Sequence, residues 1–252
     1  GAIETDWLGL RPRLSLSDVR VYDSDGREAL VLPQVENVLS WRSAAMLELR
    51  LHSFVIEGPK LAVRRDAAGA IYVAGIRVSG EQGEGRLADW ILEHDEVVVR
   101  DAEIEWRDEQ RGAPPLVLSA LNFRLRNDGD EHLIGLSARP PRQLGPGLEL
   151  RAQLSGQTVT QLAQWNGRVY AELGYTDLAG WRAWLDYPLD IRSGEGALRL
   201  WATLGAGKVK RATADVALAN VAARLGKDLP LLELASVRGR LQGRDTGAGY
   251  EF

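Results

Sequence analysis

Phe54-Val55-Ile56-Glu57-Gly58-Pro59-Lys60-Leu61-Ala62-Val63-Arg64-Arg65-Asp66 decides how this chain is read. Val55 and Ile56 run into Gly58-Pro59, after which Leu61 and Val63 alternate with Lys60, Ala62 and Arg64. Alternation at period two gives a strand one buried face and one wet face. Pro59 cannot donate to a strand ladder, and Gly58 tolerates dihedrals closed to other residues. The pair therefore marks a sharp bend between two strands.

The same pattern is written twice more. Leu16-Ser17-Asp18-Val19-Arg20-Val21 precedes Ile56-Glu57-Gly58-Pro59-Lys60-Leu61 by 40 positions and Val99-Arg100-Asp101-Ala102-Glu103-Ile104 follows it by 43, the spacing of a repeated β unit. Weaker echoes stand at Val117-Leu118-Ser119-Ala120-Leu121, Ala217-Leu218-Ala219-Asn220-Val221 and Leu234-Ala235-Ser236-Val237.

Outward from these copies the chain keeps the rhythm of strands and turns. Asp23-Ser24-Asp25-Gly26 and Ala67-Ala68-Gly69 read as turns, and Asn127-Asp128-Gly129 as a hairpin. Leu148, Leu150, Ala152 and Leu154 alternate with Glu149, Arg151 and Gln153, and Val169, Ala171, Leu173 and Tyr175 share the next period. Later strands are expected over Ala197 to Leu204, Ala212 to Leu218 and Leu234 to Leu241. Three helices are expected: Leu87 to His94, Thr158 to Trp165, and Asp177 to Tyr187, where Leu178, Trp181 and Leu185 form one stripe and Pro188 ends it. Strands far outnumber helices and no βαβ alternation occurs, so the expected class is mainly β and antiparallel. Three units are expected within the sheet, over about 1–80, 81–156 and 157–252.

More than about ten strands with apolar residues on one side must hide that side. Closing, folding into a sandwich and holding a ligand would each do so.

Composition narrows the function. At 252 residues the chain holds one large β domain or two ordinary ones; 45% apolar and 26% charged content is that of a folded protein. A formal charge of −4, with arginines interleaved among acids, argues against a nucleic-acid partner. With no cysteine there is no disulfide, thiolate metal site or cysteine nucleophile. No apolar run reaches the length of a membrane span, and Gly1-Ala2-Ile3-Glu4 does not begin a signal peptide. The opening on Gly1 and the mid-pattern close at Gly249-Tyr250-Glu251-Phe252 lead us to expect a piece of something longer.

Catalytic and cofactor signals are weak. His94-Asp95-Glu96 reads as a solvated helix end with the imidazole favoured by the dipole, and His52 and His132 as surface residues on strands. Gly205-Ala206-Gly207-Lys208 lacks the upstream glycine and following hydroxyl of a phosphate loop and reads as a hairpin turn. No Gly-x-Ser-x-Gly elbow and no marked carboxylate pair occur, so neither an enzyme nor a cofactor is expected. Of the eight tryptophans, Trp41, Trp106 and Trp201 fall on strands, while Trp90, Trp165, Trp181 and Trp184 belong to helices as core plugs.

Several stretches carry a family likeness. Trp7-Leu8-Gly9-Leu10-Arg11-Pro12-Arg13-Leu14-Ser15-Leu16-Ser17-Asp18-Val19-Arg20-Val21, Leu39-Ser40-Trp41-Arg42-Ser43 and Ile56 to Asp66 resemble the YhdP branch of the AsmA-like proteins. Asp101-Ala102-Glu103-Ile104-Glu105-Trp106-Arg107-Asp108-Glu109 and Thr176-Asp177-Leu178-Ala179-Gly180-Trp181 are similar to later stretches of that branch. The likeness covers most of the chain, in order, through structural motifs rather than a catalytic fingerprint.

The resemblance implies a long chain of a Gram-negative bacterium, anchored by one N-terminal inner-membrane helix and crossing the periplasm. Its β units would build a groove that carries phospholipid between the inner and outer membranes and maintains the outer-membrane permeability barrier. This chain lacks both the helix and most of that length, so it is expected to be a membrane-proximal periplasmic piece.

The expected architecture is then an elongated, twisted antiparallel sheet curled into a groove, with a few short α-helices at its ends or mouth. Leu61, Val63, Ile104, Trp106, Leu121, Phe123, Leu198 and Leu200 are the candidates for a lipid-bearing floor. The implied partners are phospholipid and, through the full-length chain, components of both membranes. A scaffold that assists outer-membrane protein assembly by strand pairing, and a carbohydrate-handling β protein, remain as alternatives.

Overall fold

The computed structural model describes residues 3–8, 11–22, 28–39, 51–77, 91–185, 190–224, 229–246 and 250–251. Its first strands are β1 (Ile3–Leu8), β2 (Arg11–Tyr22), β3 (Glu28–Leu39), β4 (Leu51–Glu57), β5 (Lys60–Arg65), β6 (Ile71–Val73) and β7 (Ile76–Arg77). A long meander follows: β8 (Glu96–Asp108), β9 (Leu116–Asp128), β10 (Glu131–Arg139), β11 (Leu148–Ser155), β12 (Asn166–Asp177), β13 (Asp190–Gly205), β14 (Lys208–Arg224), β15 (Leu232–Asp245) and β16 (Tyr250–Glu251). All sixteen belong to one open sheet. It curls without closing into a barrel. From β8 to β16 each strand pairs antiparallel with the next.

One junction departs from the antiparallel expectation. β4 and β5 are two arms of a single bent strand, and both pair with β8 in parallel: Phe54 to Glu57 lie against Val97 to Arg100, and Lys60 to Arg65 against Glu103 to Asp108. The offset is 43 residues on both arms, so the sequence spacing of the second and third copies is the register of this pairing. Opposite charges face each other along it. Arg100 donates to Glu57 at 2.8 Å, Lys60 approaches Glu103 at 3.9 Å, and Arg65 binds Asp108 through Nε at 2.9 Å.

The copies mark a crease. Asp18, Gly58, Asp101, Ala120 and Asn220 all take positive φ, between 46° and 62°. At Gly58 the left-handed backbone comes free of strain, whereas the other four positions hold it against a Cβ. Register shifts accompany the bends in β8, between Val99 and Ala102 and again before Ile104. The Gly58 amide donates to the Arg100 carbonyl at 2.9 Å and the Glu103 amide to the Pro59 carbonyl at 2.9 Å, so the bent ladder remains bonded. Asn122 stitches the next strand, accepting from the Asp101 amide at 3.3 Å and donating to the Ala120 carbonyl at 3.1 Å. β8 is therefore one strand with a bulge at Asp101-Ala102.

Two of the expected helices are 3₁₀ turns among the described residues. Thr158 to Trp165 becomes a 3₁₀ segment, Val159–Gln164, broken at Gln161 (φ −112°, ψ 37°). Of Asp177 to Tyr187, the described residues, up to Leu185, hold one 3₁₀ turn, Gly180–Ala183. Asp177 still belongs to β12, and its carboxylate accepts from the Gly180 amide at 3.0 Å, which fixes a turn where the apolar stripe reads as helix. Of Leu87 to His94, only the helical Ile91–Leu92 and the turn after it lie within the described residues. Gly205 pairs with Lys208 around Ala206 (φ 51°) and Gly207 (φ 68°), a two-residue hairpin of the type that needs two positive φ angles.

Candidate functional site

Register puts one apolar line across the sheet. Val35, Ile56, Val99, Phe123, Leu136, Leu150, Ala171, Leu200, Ala214 and Leu241 are successive cross-strand partners from β3 to β15. At the backbone level Leu16 and Ile3 continue the same register. Ten strands at about 4.8 Å make a row of about 43 Å. A second row, two residues along, runs Phe54, Val97, Leu125, Ile134, Ala152, Val169, Ala202 and Ala212. A third holds Ala138, Leu148, Leu173, Leu198 and Val216. Side chains alternate across a strand, so these rows share one face.

All eight candidate floor residues stand on that face. Leu61 is beside Ile104 and Val63 beside Trp106. Leu121 is beside Ala102, Phe123 lies in the first row with Leu200, and Leu198 lies in the third. Leu121 is 4% exposed, packed with Ala102 and Ala138, while Ile104, Phe123, Leu136 and Leu148 rest half-buried against that cluster. Leu198 and Leu200 are half-buried, and Leu241 at the far end is 62% exposed. The described strands all belong to one sheet that is not closed into a barrel, so no second sheet among the described residues lies over the rows.

Two rims bound the face. At one, Trp181 and Leu144 pack on Leu116, with Trp106, Leu118, Leu148 and Trp184 against them. Buried Thr176 donates to the Leu144 carbonyl, and Trp181 Nε1 donates to Thr176 Oγ1 at 2.8 Å, so the plug leaves its polar atoms satisfied. Trp184 Nε1 reaches the Pro114 carbonyl at 2.9 Å.

At the other rim, His132 stacks on Trp165 with ring centroids 5.1 Å apart and planes at 16°. Asn127 Nδ2 donates to the carbonyls of His94, at 2.6 Å, and Ile91, at 3.2 Å. That orients its Oδ1 toward His132 Nδ1 at 2.7 Å, and His132 Nε2 lies 2.8 Å from the Gly156 carbonyl.

This corrects the histidine reading. His132 is 1% exposed and His94 2% exposed, so neither is a surface group. A period-two pattern places His132 on the inward side of β10, but only the neighbouring Trp165 and Gly156 make that end dry. The side chain of His52 lies outside the described set. No cluster of three metal-ligating side chains occurs among the described residues, and no helix among them is long and apolar enough to cross a membrane.

The opposite face is charged in alternation. Glu172, Arg199, Asp215 and Arg240 are successive cross-strand partners, joined Arg199 to Glu172 at 3.1 Å and Arg240 to Asp215 at 2.6 Å. The hydrogen bond from Tyr170, then that from Arg199, holds the Glu172 carboxyl below its ordinary range, and Arg240 does the same for Asp215. The tyrosine hydroxyl is correspondingly pushed up by Glu172. Trp201, 38% exposed, lies on this face and tilts against Tyr170 at 5.4 Å. Among the described side chains Trp106 is thus the strand tryptophan on the apolar side. Trp165 and Trp181 are rim plugs without full helices, and Trp41 and Trp90 lie outside the described residues.

Among the described residues the site is therefore a long apolar surface of one open sheet, bounded along two edges. Comparison with curated proteins and with solved structures finds no significant match. The family model described as the YhdP protein matches residues 1–252, and the chain belongs to the YhdP family.

Proposed function

We propose that the apolar face carries phospholipid acyl chains as a periplasmic, membrane-proximal stretch of an inner-membrane-anchored protein that conducts lipid toward the outer membrane. Family membership supports an AsmA-like lipid-transport role at the level of the family, and that family is not known to be enzymatic. The observation that supports the finer reading is the ten-strand apolar row on an open sheet with no second sheet among the described residues. Each methylene that leaves water for this surface gains about 0.8 kcal/mol, while the headgroup stays at the open side. Three rows about 7 Å apart leave room for chains to lie side by side between the rims. No step needs a reacting group; the mechanism is shielding, and the rims limit how far a chain spreads.

Leu200 and Leu198 test this without entering the tight cluster at Leu121. Leu200→Glu is expected to lower the phospholipid that co-purifies from a bacterial host without detergent, read by native mass spectrometry, by about tenfold. Ala217→Glu, exposed and on the charged face of the neighbouring strand, is expected to leave occupancy unchanged. Equal occupancy in folded Leu200→Glu and wild type would remove the apolar face as the carrier.

A further inference from the structure

We propose that the charged face holds a second binding site, for a phosphate-type anion carried on an apolar or ring-shaped body, centred on Gly135. A depression of about 510 Å³ opens there. Its centre is empty because Gly135 has no side chain, and a Cβ built at that position meets nothing within 4 Å. The flanking register partners of Gly135 are Arg124 on β9 and Arg151 on β11. Arg126 and Arg168 complete a frame one step further along the strands, on either side of Leu133 and Gln153. Two strand spacings separate Arg124 from Arg151, about 10 Å, a gap that two long guanidinium side chains span from opposite sides.

The charge balance of this frame is unusual for the molecule. The chain as a whole is at −4, yet the lining contains four arginines and no carboxylate. Arg124 and Arg151 are tied to Glu96 and Glu149, which stand outside the depression. Arg168 bonds only a neutral partner in the lining, Gln153 Oε1 at 2.9 Å, and Arg126 has no ion-pair partner among the described residues. Exposed ion pairs of the Arg124 type contribute little in water, so a dianion can displace them. Guanidinium forks match phosphate oxygens in pairs.

The body of the ligand is read from the other wall. Tyr170 follows Arg151 in the same register row and Trp201 follows Tyr170, presenting two tilted rings beside the arginine frame. Leu133, 48% exposed, supplies the apolar wall next to Gly135. Inorganic phosphate would use the arginines alone; an esterified phosphate would use both walls. A lipid headgroup and a soluble phosphate ester share this chemistry.

Isothermal titration of the chain with inorganic phosphate, phenyl phosphate and short-chain phosphatidic acid tests the site. Phenyl phosphate is expected to bind about tenfold more tightly than inorganic phosphate, and more weakly as salt is raised. Gly135→Leu, which fills the depression at a position with ordinary backbone, and Arg126→Gln with Arg168→Gln are each expected to weaken it by about tenfold or more. Counting only the binding that Gly135→Leu removes, tighter phosphatidic acid than phenyl phosphate assigns the site to a headgroup, and the reverse assigns it to a soluble ester. No heat with inorganic phosphate or phenyl phosphate, or affinity for phenyl phosphate unmoved by both variants, overturns the proposal. Lipid held on the apolar face lies on the other side of the sheet and is unchanged in Gly135→Leu, so this test and that of the lipid surface fail separately.

Discussion

The two faces of β9 to β15 are built from the same strands in the same register, yet they are organised by opposite rules. On one face Phe123, Leu136, Leu150, Ala171 and Leu200 form a row in which no charge occurs. On the other, one residue along, Glu149, Glu172, Arg199, Asp215 and Arg240 form a row of mostly alternating charge. The apolar row must exclude charge because its members are half-buried and have no hydrogen bonds to offer. The charged row needs only neutralisation, which solvent also supplies. The lesson concerns robustness: the charged face should tolerate single changes, and the apolar face should not.

The largest effect is expected where the apolar face is tightest. Leu121→Asp places a carboxylate among Ala102 and Ala138 and should cost about 4 kcal/mol, seen as loss of most of the cooperative urea transition. A midpoint close to that of the wild type would mean that this cluster is not the mechanical centre of the sheet.

A smaller loss is expected at a carboxylate that the apolar side does hold. Asp108, 2% exposed, ends β8 on the side of Ile104 and Trp106 and is gripped by Arg65 and by the Arg111 amide at 3.1 Å. Burial acts to raise its pKa, but the Arg65 bond, the Arg111 amide and both guanidinium charges outweigh it, so the carboxyl titrates below its ordinary value of 3.8. A lowered folded-state value means stability present above the unfolded pKa and lost as pH falls through the folded one. Asp108→Asn should cost about 2 kcal/mol at neutral pH and close to nothing once the medium is more acid than the folded carboxyl. Urea midpoints of the two proteins across the acid range should converge; parallel curves would deny the ion pair its role.

The smallest effect belongs to the charged face. Arg240→Ala removes a two-bond contact to Asp215 that is exposed to water. The urea midpoint should barely move, and the small difference should vanish in high salt. A large salt-insensitive loss would show that the two faces are not organised by different rules.

Much of this was legible in the chain. Period-two alternation from Leu148 to Leu154 fixes which side chains share a face, because a strand leaves no other geometry. Within single strands the same rule sets Leu61 with Val63, Ile104 with Trp106, Leu121 with Phe123 and Leu198 with Leu200. Gly58-Pro59 announces its own bend, since no regular ladder accommodates that pair. The rims were less legible. Leu178, Trp181 and Leu185 carry a helical stripe, but Asp177 is held in β12 and its carboxylate closes a tight turn instead. His132 reads as an alternating strand residue in either case; whether its end of the strand is wet depends on Trp165, 33 residues later.

By itself the sequence determined the strands, their bends and the chemistry of each face, all of which follow from local sterics and the pleat. Only the tertiary structure decided the rest. It joined the two copies 43 residues apart as parallel partners, because register depends on which bent strands nest and which charges meet across them. It turned stretches of helical pattern into rim plugs, because burial of Trp181 and Trp165 against distant strands outweighs the weak preference of a short segment for helix. It also left the strands in one open sheet, which no alternation pattern specifies, since a sandwich, a barrel and an open groove share the same period.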